Sequence, residues 1–347
     1  MLYYTLKVVK IRQETPDTVT IIFLQPGLKK VKYQAGQYLT LIFRINNRKY
    51  IRPYSFSSAP GIDSTLNVTV KRVPDGIVSN HIADYLKVDD VVEVMEPMGN
   101  FTLENKGIEF NNHIIFWGAG SGITPLISLI KYTLYHQLAA QVTLVYGNRN
   151  YESAVFNEQI TELQKKYSST FSVWHFHTQA VVEDNNPNLV QGRINSEKVL
   201  SVLKQEGNLQ NTFHYICGPA GLKESVKTLL EQEGINQKQI FTEEFQQITN
   251  SKDLENITTR TVSLINHEQE YEVEVVKGKT ILEAGLDNLI DLSYSCQTGN
   301  CLVCKAKLLT GELKLIGDSG FQQNLEPDEY LLCCSFPLTD NIRISIA

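Results

Sequence analysis

The chain has no basic run and no excess of positive charge. Its 32 Lys and Arg stand against 38 Asp and Glu, for a formal net charge of −6. Nucleic-acid binding rests on clustered cations that neutralise phosphates, so this balance argues against a nucleic-acid partner. A positively charged protein surface is the more natural electrostatic complement. A membrane helix is missing too. The longest uncharged run spans 114–130 and is broken by Gly118, Gly120, Gly122 and Pro125. A spanning helix needs about 20 apolar residues, so this run reads as a strand, a turn and a helix. The first residues, Met1-Leu2-Tyr3-Tyr4-Thr5-Leu6-Lys7, do not form a secretory signal. Cysteine is sparse, six in 347 residues, which with no signal excludes a secreted disulfide scaffold and fits a reducing, cytoplasmic compartment. There is no internal repeat and no low-complexity segment. The length suggests two or three domains.

Five of the six cysteines lie in the last 52 residues, and only Cys217 stands apart. Cys296, Cys301 and Cys304 stand with four and two residues between them, and Cys333 and Cys334 follow about thirty positions on. This is the C-x4-C-x2-C…C spacing that holds a [2Fe–2S] cluster by four thiolates. Each iron needs two soft sulfur ligands. Gly299 lets the loop backbone approach the inorganic sulfides with no Cβ in the way. Structural zinc is the competing reading, but zinc sites usually use two C-x2–4-C knuckles or Cys/His pairs, and only one C-x2-C is present. The fourth ligand is Cys333 or Cys334. The loop count of 29 residues after Cys304 favours Cys334, whereas the frame to Pro337 favours Cys333. We take Cys333, because a one-residue slip in a strand turns a thiol to the opposite face, while loop length changes cheaply.

The first hundred residues read as short strands at 3–12, 17–24, 36–45, 48–58, 65–72 and 90–96, split by turn residues, with a helix at 78–86. That is an antiparallel barrel or sandwich. Within it, Arg52-Pro53-Tyr54-Ser55 puts a phosphate clamp, a stacking face and a hydroxyl donor on one strand. Val70, Lys71, Gly76, Val78 and Ser79 follow, and Gly76 and Ser79 introduce a helix whose N-terminus can hold a phosphate.

The pattern changes over 112–245, where apolar strands alternate with helices. Strands at 113–117, 141–147, 171–177, 212–217 and 239–245 and helices at 124–138, 155–167, 196–204 and 219–233 predict a doubly wound sheet of five parallel strands. The first strand runs into Gly118-Ala119-Gly120-Ser121-Gly122-Ile123-Thr124-Pro125. Its glycines admit a pyrophosphate, the helix start supplies amides, and Pro125 fits the first helical turn. The second strand ends at Arg149, with no adjacent acid to select NAD over NADP, a lean towards NADPH. Cys217-Gly218-Pro219 follows the fourth strand, and Phe245 closes the segment. His175 and His177 share one strand without a visible third ligand, and we read them as having a sheet-edge role.

Arg52-Pro53-Tyr54-Ser55, the G-x-G-x-G-x-x-P turn, Cys217-Gly218-Pro219-Ala220-Gly221 and the cysteine loop, in that order, resemble the ferredoxin–NADP reductase superfamily with a C-terminal [2Fe–2S] ferredoxin domain. The order is that of the reductase components of bacterial multicomponent oxygenases. The resemblance implies an antiparallel FAD-binding β-barrel (1–105), a doubly wound α/β NAD(P)-binding domain (106–247), a linker (248–258) and a β-grasp [2Fe–2S] ferredoxin domain (259–347). It implies that Arg52 pairs with the FAD phosphate, Tyr54 packs on the isoalloxazine and Ser55 hydrogen-bonds near N5. Val70, Lys71, Gly76, Val78 and Ser79 hold the rest of FAD. Gly118, Gly120, Gly122, Thr124, Arg149, Cys217, Gly218 and Pro219 bind NAD(P)H, Ser55, Cys217 and Phe245 serve hydride transfer, and Cys296, Cys301, Cys304 and Cys333 bind the cluster. The implied activity passes electrons from NAD(P)H through FAD to the cluster, at roughly −400 mV in plant-type ferredoxins. The implied acceptor is an oxygenase component in aromatic degradation of the phenylacetyl-CoA type. Two alternatives stay open at this point: a reductase for a desaturase or hybrid-cluster protein, and a non-enzymatic redox sensor.

Overall fold

The computed structural model describes residues 2–179, 186–207, 211–246, 252–266, 269–317 and 325–346. The N-terminal strands are β1 (Tyr3–Thr15), β2 (Thr18–Phe23), β3 (Tyr38–Ile45), β4 (Arg48–Ser55), β5 (Leu66–Lys71) and β6 (Val91–Met95), with helix α1 (Ile77–Tyr85) between the last two. They hydrogen-bond in the order β4-β3-β6-β1-β2-β5. The chain just past β4 then meets β5, through the Phe56–Val68 bridge and the Ser57 amide on the Asn67 carbonyl at 2.8 Å. This turns the sheet back on itself and covers its open edge. Alternation decides what goes inside. Leu6, Val8, Ile21, Phe23, Leu39, Leu41, Phe56 and Val68 are fully buried, each drawn in by the loss of its apolar surface from water.

The middle region is β7 (His113–Ala119), α2 (Ile123–Tyr135), β8 (Gln141–Asn148), α3 (Asn157–Lys166), β9 (Phe171–His177), β10 (Leu189–Gln191), α4 (Ser196–Glu206), β11 (Thr212–Cys217), α5 (Ala220–Gln232) and β12 (Ile240–Glu243). The sheet order is β10-β9-β8-β7-β11-β12, and every pair is parallel. Where five strands are expected, the described residues form six. The sixth, β10, is three residues long, too short for a periodic signal. It pairs Leu189 with His175 and Gln191 with His177, so β9 is not an edge strand. The two histidines are buried beside the Tyr151 ring. Apolar clusters fill both faces of the sheet, as a sheet wrapped by helices on both sides requires.

The C-terminal region is β13 (Arg260–Asn266), β14 (Gln269–Val275), α6 (Ile281–Asp287), β15 (Lys305–Thr310), β16 (Leu313–Leu315), β17 (Glu329–Leu331), β18 (Ser335–Pro337) and β19 (Ile342–Ile346). A mixed sheet in the order β14-β13-β19-β15-β17 curls around α6, and β16 pairs with β18. This is the β-grasp arrangement. Thr280 and Glu283 form a reciprocal capping box at the start of α6. Of the expected linker, 248–251 lies outside the described residues, and 252–258 carries neither helix nor strand. By contacts, the chain divides into two compact units: 1–43 with 54–244, and 44–53 with 245–347. No helix among the described residues is long and apolar enough to cross a membrane.

Candidate functional site

The candidate residues fall into three groups, each at the end of regular elements. The first is built on β4, β5 and α1. Arg52 and Tyr54 lie two apart on β4 and so share a face, while Ser55 is buried. The Arg52 Nη1 donates to the Ile51 carbonyl at 2.8 Å, which holds the half-buried side chain along its own strand. β5 ends at buried Val70 and at Lys71, whose ammonium lies 3.4 Å from Asp17. The chain then turns through Val73–Gly76 into α1. The Ser79 hydroxyl accepts the Val73 amide at 3.1 Å and donates to the Gly76 carbonyl at 3.4 Å. Ser79 thus staples the turn that precedes its own helix. A Cβ at Gly76 would stand 2.5 Å from that hydroxyl, so a side chain there would displace the Ser79 staple. α1 starts without a side-chain cap, and an uncapped first turn leaves amides for an anion.

The second group sits at the carboxyl ends of β7 and β11. These neighbours pair Cys217 with Gly118. β7 also has β8 on its other side, so the strand order reverses between them. Open α/β sheets bind ligands at such a switch point. The glycine turn after β7 and the Cys217-Gly218-Pro219 turn after β11 therefore stand side by side. A Cβ at Gly122 would lie 2.1 Å from the Cys217 carbonyl oxygen, and one at Gly218 3.2 Å from the Ala119 amide nitrogen. Gly120 has φ of +54° and open space where a Cβ would be, so its backbone is approachable by a phosphate. Thr124 donates to the Ser121 carbonyl at 2.8 Å and holds the turn closed. Arg149, after β8, is exposed and 3.8 Å from Asp17. Cys217 is buried, and burial together with Glu243 pushes its thiol well up, so it stays a neutral thiol. Phe245 is exposed.

Sequence reasoning missed Tyr146. Its side chain is fully buried, and its hydroxyl lies 3.2 Å from the Gly120 carbonyl and 3.4 Å from that of Val155. It ties the glycine turn to the neighbouring crossover. Residues 142–146 of β8 form one continuous buried run, which carries no sign of a specific role for the Tyr146 hydroxyl.

The third group is the thiol loop between α6 and β15. The Cys296 sulfur accepts the Thr298 amide at 3.4 Å and the Asn300 amide at 3.2 Å, and the Cys301 sulfur accepts the Cys296 amide at 3.5 Å. Left-handed backbone at Gln297, Gly299 and Leu302 turns these amides inward. Hydrogen bonds from Cys301 and Cys333, and then the Thr298 amide, hold Cys296 below the usual thiol range. Cys304 is lowered mainly by Cys333, while Cys333 is raised by its contacts with Cys296, Cys304 and Cys334. Cys296 thus meets Cys301 and Cys333, and Cys304 meets Cys333; Cys296 and Cys304 are lowered, while Cys301 and Cys333 are raised by these same neighbours. Among the described residues, no three His, Cys, Asp or Glu side chains are arranged around a single metal ion. The thiols fit a binuclear cluster, which spreads its ligands over two irons. Cys334 is buried, 3.6 Å from the Cys333 sulfur and packed beside Gly299.

Known proteins match the same three regions. The oxidoreductase FAD-binding domain model matches 5–103, the oxidoreductase NAD-binding domain model 116–228 and the 2Fe-2S iron-sulfur cluster binding domain model 265–338. The chain is 31% identical to one of the subunits of 1,2-phenylacetyl-CoA epoxidase of Escherichia coli, over 99% of this chain and 97% of that one. The chain belongs to the ferredoxin–NADP reductase superfamily, in the branch with a C-terminal [2Fe–2S] domain. In this reductase family it is also 29% identical to the ferredoxin reductase component of 3-ketosteroid-9-alpha-monooxygenase from Rhodococcus rhodochrous, over 96% and 93% of the two chains. Its fold matches that of phthalate dioxygenase reductase, with a TM-score of 0.68 and 20% identity over 99% and 98% of the chains. The chain is an oxidoreductase with FAD, NAD(P)H and [2Fe–2S] sites. When bound, FAD accepts an electron pair from the nicotinamide and releases it one electron at a time. The polypeptide orients and shields these groups.

Proposed function

We propose that this reductase is the NAD(P)H-dependent component of a cytoplasmic multicomponent oxygenase acting in aromatic degradation of the phenylacetyl-CoA type. The observation that carries this reading is colinearity: the FAD, NAD and [2Fe–2S] regions lie within a likeness to the Escherichia coli epoxidase component that spans 99% of the chain. Arg52 clamps the FAD phosphate, with Tyr54 on the ring and Ser55 near N5. Val70, Lys71 and Val78 line the rest of the flavin, and the turn at Gly76 and Ser79 presents helix amides to the pyrophosphate. Gly118, Gly120, Gly122 and Thr124 hold the dinucleotide at the switch point, Arg149 contacts its adenosine end, and Gly218 and Pro219 border the nicotinamide. Cys217 serves there as a neutral donor, and Phe245 covers the flavin until nicotinamide arrives. Cys296, Cys301, Cys304 and Cys333 hold the cluster. The domain limits are those drawn from the sequence, 1–105, 106–247 and 259–347 around the linker.

The test is reconstitution with FAD, iron and sulfide, then steady-state reduction of cytochrome c or ferricyanide by each coenzyme. Turnover separates an enzyme from a redox sensor, and its absence in protein with both cofactors bound rejects the proposal. Arg149 favours NADPH, so a higher kcat/KM for NADH would overturn that part alone. Co-purification with an oxygenase component supports the acceptor class, and a desaturase or hybrid-cluster protein in its place overturns it.

A further inference from the structure

The hairpin formed by the end of β3 and most of β4, 44–53, belongs to the same compact unit as 245–347. β4 is the terminal strand of its sheet order, so alternate backbone groups point away from β3 and need partners. One of them is filled by a side chain. The buried Ile51 amide donates to the Tyr294 hydroxyl at 3.2 Å, and both residues are almost wholly buried. Tyr294 stands two residues before Cys296, and Ile51 one residue before Arg52. Around this bond lie weaker contacts. Arg48 donates to the Leu286 carbonyl at 2.9 Å and to Asp287 at 3.2 Å, and Lys49 lies 3.3 Å from Asp291. Leu286 and Asp287 end α6, which has no basic residue in its own last turn. Arg48 supplies the cation that the negative helix end favours.

We propose that Tyr294 is a positioning residue, which fixes the thiol loop against the strand that carries Arg52, and that Arg48 fastens the same hairpin at the end of α6. The inference rests on the reading of Arg52 as an FAD ligand and of the thiol loop as the cluster site. The step it serves moves one electron from the reduced flavin to the oxidised cluster, with NAD(P)H as the source, and no bond to Tyr294 forms or breaks. The exposed ion pairs contribute little each. The buried hydrogen bond is the specific element, because its loss strands an amide away from water.

The experiment uses the full-length holoprotein, with FAD and iron content measured first. If the wild type binds neither group, the functional reading fails, and this inference is rejected with it. In Tyr294→Phe, with both groups bound as in wild type, hydrogen exchange at the Ile51 amide should be about tenfold faster. Rapid-mixing reduction should show flavin reduction unchanged and cluster reduction several-fold slower. Arg48→Ala, on the surface, should slow cluster reduction less and in a manner abolished by high salt. Wild-type exchange at Ile51 in Tyr294→Phe, or exchange that rises while cluster reduction keeps its wild-type rate, would overturn the proposal.

Discussion

At the scale of single residues the choice between Cys333 and Cys334 is the sharpest. Strand alternation does not separate them, because both lie in a 3-10 turn, Leu332–Cys334. Successive side chains there point about 120° apart, which separates the two thiols just as well. Cys333 reaches Cys296 and Cys304, whereas Cys334 lies beside Gly299. We therefore expect Cys333→Ser to lose the visible absorption and iron of the cluster and Cys334→Ser to keep both. The reverse pattern would make Cys334 the ligand. Arg52 offers a second test. Its guanidinium is held along β4, and on the proposed role as the FAD phosphate clamp, Arg52→Ala should cost a charged contact worth about 1.5–3 kcal/mol. FAD should dissociate on dilution of the variant, and full retention after gel filtration would refute the contact.

At the scale of elements, the two turns at the switch point depend on close backbone approach. Gly122→Ala puts a methyl group 2.1 Å from the Cys217 carbonyl, where neither neighbour is a flexible side chain. The strand ends must move apart, and an overpacked site of this kind costs about 1–3 kcal/mol. We expect a lower thermal midpoint and a raised KM for the coenzyme. Gly221→Ala is the control, since a Cβ there meets nothing within 4 Å. Equal behaviour of the two variants would show that the turns do not pack as described. The barrel and the parallel sheet were legible in the sequence, because alternation and glycine turns are local signals. β10 was not, since three residues carry no period and only the pairing with β9 makes them a strand.

At the scale of the whole molecule, stability should fall on mild acidification. His214 is fully buried in β11, with its Nδ1 accepting from Trp117 at 3.1 Å and its Nε2 2.9 Å from the Thr212 hydroxyl. Burial, and then the nearby His113, push its pKa down to about 3. His113 is lowered too, by burial, against the opposing pull of Glu206. A histidine whose folded pKa is depressed stays neutral in the native state while the unfolded chain takes up a proton. Its contribution is complete above the unfolded value near 6.5 and is lost as pH falls towards 3. For His214 alone the slope is about 1.4 kcal/mol per pH unit in that window. Urea midpoints measured from about pH 7 to 5 should decline accordingly, and His214→Gln should flatten the decline. A flat wild-type profile would contradict a buried neutral His214.

The sequence by itself determined the three-part architecture, the cluster and the two glycine turns, because each depends on spacing within a few residues. Cys296, Cys301 and Cys304 must be close to share a cluster, and Gly118, Gly120 and Gly122 must be close to make one turn. Only the tertiary structure decided which separate segments meet. It set Cys217 beside Gly118 through strand order, brought the Tyr146 hydroxyl to the Gly120 carbonyl, and gave the Ile51 amide to a tyrosine 243 residues away. These are contacts between elements, and their physical cause is shared burial. An amide or hydroxyl taken out of water accepts whatever partner the packing brings within reach, and no local pattern in the chain records which partner that is.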